Sequence, residues 1–166
     1  MTSEIKTEAA RDAAKLLSEV WPVGIPVDPI VVARRAGLRV LETATLDKNI
    51  LGALIKNPDQ DPIIMLNETD GLNRKRFTCA HEIGHFVRRG DAAEPYTTID
   101  FRDRLSSLGN DPEEVYANEF AACLLMPADQ VGLLAKENLG DLELAIRFGV
   151  SRDAMQFRLK NLGLRP

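Results

Sequence analysis

The stretch FTCAHEIGHFV, residues 77–87, decides how this chain is read. On an α-helix, residues four apart differ by about 40° in azimuth and one turn in height. His81 and His85 therefore project from one face, where two imidazoles can hold one cation. Glu82 is turned about 100° from His81, too far to be a third ligand on that axis but well placed to act as general base toward an attacking water. By average composition an HExxH pattern arises in about one of a few hundred chains of this length, so the motif alone is only suggestive. Three features strengthen it. The chain has two histidines and both are here. Gly84 occupies an unfavourable mid-helix position, where a missing side chain permits close approach of a neighbour. The flanks are apolar enough to bury the helix.

A catalytic zinc takes three protein ligands and keeps one position open. With both histidines used, the third is Asp, Glu or the softer Cys123. In DPEEVYANEFAACLLMP, residues 111–127, Asp111 is a good N-cap, Pro112 suits the first helical position, glutamates fill the first turn and Pro127 ends the helix. Glu114, Ala117, Asn118, Ala121 and Leu125 share one stripe, and its small alanines would let this helix lie close against the HEIGH helix. Glu114 is accordingly the expected third ligand. Asn118, one turn on, can offer its amide oxygen to the outer N–H of a ligating imidazole; the alternative is a plain surface asparagine. Glu113 and Glu119 are expected to be solvated charges, and Cys123 to stay off the metal. Such a site carries one net positive charge, which suits hydrolysis of an amide, with Zn2+ as the expected ion and Mn2+ as an alternative in the cell. No histidine remains to stabilise an oxyanion. Tyr96 is a candidate donor, against the reading of a loop tyrosine with no such role.

At 166 residues the chain has the length of one ordinary domain, and 45% apolar with 28% charged residues is a globular composition. One unit over 1–166 is expected, with the N-terminal helices, sheet and motif helices in 1–127 and a helical segment in 128–166. The N-terminus lacks the order of a signal peptide and no apolar run approaches membrane length, which predicts a cytoplasmic protein with no membrane partner. Cys79 and Cys123 are too few for a disulfide framework and read as buried reduced thiols. A net charge of −4 supplies no bulk attraction to nucleic acid.

Helical spacing predicts helices over 4–19, 29–36, 72–89 and 112–126, with three shorter ones at 128–137, 141–148 and 152–162. Strands are expected at 38–46, 50–57 and 62–67 as a small, mostly antiparallel, hairpin-linked sheet. Residues 90–111 read as a long surface loop with one short strand at Tyr96 to Phe101. Because peptides commonly bind extended along a sheet edge, the strand PIIMLN, which runs into the motif helix, is the expected substrate edge through Ile64, Met65, Leu66 and Asn67; an ordinary buried strand is the alternative.

RFTCAHEIGHFV (76–87), then DFRDRLSS, then EVYANEFAACLLMP (114–127) together resemble the ImmA/IrrE family of zinc metallopeptidases. Paired and in this order, the blocks are far more specific than HExxH alone. The resemblance implies a zincin-like α+β domain with His81, His85 and Glu114 on zinc and Glu82 as the catalytic glutamate. It also implies a protein substrate, a helix-turn-helix repressor encoded nearby, whose cleavage derepresses a stress, mobile-element or defence operon.

A rival expectation comes from LELAIRFGVSRDAMQFRLKNLGL (142–164), which reads as helix, turn at Gly149, N-cap Ser151 and second helix, resembling a helix-turn-helix unit. Residues 141–166 hold five basic and three acidic side chains, and Arg152, Gln156 and Lys160 could face a groove. Against DNA binding, Asp153 would meet phosphate and no dense basic stripe exists. A non-proteolytic antirepressor or toxin-antitoxin partner is the third reading. Glu82 argues against it, since a purely structural zinc site has no use for a base.

Overall fold

The computed structural model describes residues 1–90, 94–104 and 111–166. Among these residues seven helices and four strands are ordered α1 (Thr2–Val20), α2 (Pro29–Arg35), β1 (Arg39–Thr43), β2 (Ile50–Lys56), β3 (Ile63–Asn67), α3 (Leu72–Arg89), β4 (Tyr96–Phe101), α4 (Pro112–Leu125), α5 (Ala128–Leu134), α6 (Asp141–Phe148) and α7 (Arg152–Asn161). Short 3-10 turns follow β4 and α5. The architecture is α+β with a mixed sheet. None of its helices is long and apolar enough to cross a membrane among the described residues.

Local chemistry accounts for the helix ends. Asp28 accepts from the backbone N–H of Ile30 and Val31, Asp111 from Glu113 and Ser151 from Ala154, each a side-chain N-cap that satisfies otherwise orphaned donors. Pro29 and Pro112 stand at first helical positions, where a missing N–H costs nothing.

The sheet departs from the hairpin-linked meander expected of it. Its order is β1-β3-β2-β4: β1 runs parallel to β3, whereas β2 is antiparallel to both β3 and β4. Two pairings of three are antiparallel, but β1 and β2 are not neighbours. The strand expected to offer a free edge, β3, is paired on both sides. Ile64 and Leu66 are fully buried in the core and Met65 is half-buried between two partner strands. Asn67 is occupied structurally: its Nδ2 donates to the carbonyls of Asp47 (3.3 Å) and Ile50 (2.9 Å), and its Oδ1 accepts from the backbone N–H and hydroxyl of Thr69. The edge beside the motif helix is instead β4, in the segment expected to be mostly loop. Residues 91–93 and 105–110 of that segment, including the LSS of DFRDRLSS, lie outside the described residues.

Helix α3 is held between the sheet and α4, and two glycines let it lie close to both. A Cβ on Gly52 in β2 would stand 2.6 Å from Thr78 Cγ2 and 2.9 Å from the Met65 carbonyl oxygen. On the opposite face, a Cβ on Gly84 would stand 3.1 Å from Ala117 Cα and 3.2 Å from Phe120 Cβ. One apolar cluster runs from Ala9 and Ala13 of α1 through Ile83, Phe120 and Leu124 to Met155 and Leu159 of α7. Arg76 ties the C-terminal helices to α3, its guanidinium donating to the carbonyls of Val27, Phe148 and Gly149. Both cysteines are free and buried.

Candidate metal centre

Helix α3 sends His81 and His85 toward α4 and β4, and both rings turn Nε2 to a common point, the two atoms 3.0 Å apart. Glu114, in the first turn of α4, brings Oε2 to 3.3 Å from His81 Nε2 and Oε1 to 3.3 Å from His85 Nε2. The small contact surface of Gly84 and Ala117 is what allows the two helices to approach this closely. Asn118, one turn beyond Glu114, places Oδ1 3.0 Å from His81 Nδ1. An amide oxygen can only accept, so the Nδ1 proton stays on the Asn118 side and Nε2 is the nitrogen left to meet a cation.

A fourth donor joins them that the sequence reading missed. Asp100 Oδ2 lies 3.2 Å from His81 Nε2, and ligand atoms of His81, His85, Asp100 and Glu114 all lie within 4.8 Å of one another. The missed signal is the alternation in YTTIDF, where Tyr96, Thr98 and Asp100 share the face toward α3 and Ile99, 43% exposed, points away. Opposite Asp100 is Gly52, across a shift in register between Ile50 and Gly52.

Glu82 is fully buried beside this cluster. Thr98 Oγ1 donates to its Oε2 at 2.9 Å. Its Oε1 and the Nδ1 of His85 are buried without a hydrogen-bond partner among the described residues. Burial pushes the Glu82 pKa well above the usual carboxylate range, and the negative charge of Asp100 reinforces this, against the opposing effects of His81 and the Thr98 hydroxyl. For His81, burial acts downward, but the carboxylates of Asp100 and Glu114 outweigh it and raise the pKa to about 10. Hydrogen bonds from His81 and His85 hold the Glu114 carboxyl far below its ordinary range. Two imidazoles and the carboxylates of Asp100 and Glu114 clustered in this way fit a divalent cation. The donor types, imidazole nitrogen and carboxylate oxygen, suit zinc or a similar divalent ion.

The remaining expected residues lie around the cluster or away from it. Tyr96 opens β4 on the site-facing side, its ring beneath the Arg89 guanidinium at 4.7 Å; it is a strand residue, not a loop one. Glu113 pairs with Arg88 at 2.8 Å. Glu119, expected to be solvated, is instead 17% exposed and paired with buried Arg158 at 3.5 Å. Cys123 sits next to Glu119, not in the metal cluster. Ile64, Met65, Leu66 and Asn67 belong to the interior strand described above.

No curated protein matches the chain significantly. A family model does: that of Peptidase_M78, the IrrE N-terminal-like domain, matches residues 33–160, a span holding the whole sheet, both motif helices and nearly all of the helical tail. With the convergent donor set on α3, α4 and β4 and this match over most of its length, the chain belongs to the Peptidase_M78 family, metallopeptidases of the IrrE/ImmA type.

Proposed function

We propose that this protein is a zinc-dependent endopeptidase in which His81, His85 and Glu114 hold the metal, Glu82 is the general base and Asn118 orients His81. The observation that carries this reading is the convergence of both Nε2 atoms and the Glu114 carboxylate on one point, with the buried carboxylate of Glu82 beside it. A divalent ion bound there would polarise the scissile carbonyl and acidify the attacking water. Glu82, raised in pKa by burial, takes the proton from that water and delivers it to the leaving amine. Thr98 fixes the carboxylate in one rotamer for both transfers. An extended substrate segment adds to the outer side of β4, which pairs only with β2 among the described residues. Tyr96, on the same strand and face, is the candidate donor to the oxyanion.

The substrate is a partner protein, and the family resemblance favours a helix-turn-helix repressor encoded nearby, cut in the cytosol to derepress its operon. The test is a gel assay with added zinc, in which this protein and its Glu82→Gln variant are each incubated with that repressor. Cleavage by the wild type alone supports enzyme, metal role and substrate class together. If both proteins bind the repressor and neither cuts it, the antirepressor reading replaces this one.

Direct DNA binding by 142–164 is the weaker alternative. Gln156 Nε2 is engaged by Asp141 Oδ2 at 3.1 Å, and Asp141 and Asp153 both line the surface cleft shared with Lys160. This surface offers phosphate as much repulsion as attraction.

A further inference from the structure

We infer that Asp100 is a fourth protein ligand, supplied by the edge strand β4, which closes the metal's coordination sphere in the resting protein. The inference rests on the metal-site reading above and extends it by one residue.

Asp100 meets one particular nitrogen of His81, Nε2. A carboxylate that merely orients a ligating histidine sits on the ring nitrogen that does not bind metal. On His81 that place is Nδ1, and Asn118 holds it. Asp100 faces Nε2, the nitrogen that also meets Glu114 and His85 Nε2. Its carboxylate is therefore on the metal side. Spacing agrees: four ligands at zinc–nitrogen and zinc–oxygen distances in a tetrahedron stand about 3.3 Å from one another. The separations from His81 Nε2 are 3.0 Å to His85 Nε2, 3.2 Å to Asp100 Oδ2 and 3.3 Å to Glu114 Oε2, His85 Nε2 is 3.3 Å from Glu114 Oε1, and the ligand atoms of all four residues lie within 4.8 Å of one another.

Four protein donors make a closed site, whereas hydrolysis needs an open position. Two carboxylates also cancel the dication's charge, so the closed site is a weaker Lewis acid than one held by Glu114 alone. Asp100 is suited to withdraw because β4 is an edge strand with a single hydrogen-bonded neighbour among the described residues, and the carboxylate is 11% exposed while both imidazoles are 2% exposed. A peptide pairing with β4 would engage the strand that carries both Asp100 and Thr98, the partner of Glu82. Substrate binding and site opening would then share one element.

The test exchanges the ligand's element. Zinc is added to the full-length wild type, Asp100→Cys and Asp100→Ala proteins, and the metal's shell is read by X-ray absorption. Wild type should show nitrogen and oxygen only, because Cys79 and Cys123 lie outside the cluster. Asp100→Cys should gain one sulfur at about 2.3 Å. In chelator competition, Asp100→Ala should bind zinc at least about tenfold more weakly, no less than the loss of an outer-sphere partner. Zinc bound by wild type, with no sulfur in the Cys variant and unchanged affinity in the Ala variant, overturns the role of Asp100 and leaves the three-ligand site standing. Failure of wild type itself to bind zinc overturns both.

Discussion

Thr98 Oγ1 donates a 2.9 Å hydrogen bond to Glu82 Oε2, joining the edge strand β4 to the buried carboxylate on α3. The same face of β4 brings Asp100 to His81 two residues later. Base and metal cluster are thereby addressed by one short strand.

Removing that hydroxyl should show in the pH profile. The Thr98 bond stabilises the charged form of Glu82 and opposes its upward shift. Thr98→Val therefore raises the Glu82 pKa further, and the acid limb of kcat/KM, where the base is protonated and idle, moves to higher pH. A role confined to strand packing would lower activity without moving that limb.

Glu82→Gln should keep the metal and lose cleavage, because the amide cannot accept the water's proton while the ligands stay in place. His85→Ala should lose metal and activity together, since one of the convergent Nε2 atoms is gone. Metal content by atomic absorption, measured beside the cleavage assay, separates the two. A Glu82→Gln protein that still cuts would end the mechanism.

Gly84→Ala tests the helix contact that brings the donors together. Helix propensity alone favours alanine by about 1 kcal/mol. The new Cβ would meet the backbone of Ala117 at 3.1 Å and Phe120 Cβ at 3.2 Å, atoms that shift only if α4 shifts. The expected net effect is a loss of about 1–2 kcal/mol in urea unfolding, with weaker zinc binding as Glu114 moves away from the imidazoles. A more stable variant would show that the α3–α4 contact yields easily.

Arg76→Ala should free the C-terminal helices. Its guanidinium serves three carbonyls, at 2.6 Å to Val27, 2.8 Å to Gly149 and 3.3 Å to Phe148. Losing a charged donor from that position costs about 2–3 kcal/mol. Hydrogen exchange should accelerate first in residues 141–161, and uniform acceleration would argue that Arg76 stabilises the whole fold equally.

Metal stripping should lower thermal stability in a concentration-dependent way. Glu82, Asp100 and Glu114 are enclosed together with two histidines, and a bound dication offsets their mutual repulsion. Zinc held at about 100 times its dissociation constant contributes about 2.7 kcal/mol. A melting temperature indifferent to added zinc or chelator would contradict the metal site.

Some of this protein was legible in one dimension. The ends of α2, α4 and α7 follow from Asp28, Asp111 and Ser151 with their neighbouring residues, because caps act within three positions. The placing of His81 and His85 on one face follows from helical geometry alone, and the stripe that carries Glu114 and Asn118 is equally local. The free edge was not legible. PIIMLN has the apolar run of a strand, but a run says nothing about its neighbours, and β3 is enclosed because β1 returns parallel to it while β2 takes the other side.

Asp100 and Thr98 mark the boundary between the two kinds of information. In sequence the alternation of YTTIDF puts them on one face of a short strand, but does not say what that face meets. Their meeting with His81 and Glu82 depends on β4 pairing with β2, on the shift in register between Ile50 and Gly52, and on α3 lying tight against Gly52. Local spacing and capping determine helices and the faces they present, because those interactions close within a turn of chain. Which strand lies at the edge, and which carboxylate it turns toward the metal side, is settled by long-range pairing and close packing, which only the assembled fold contains.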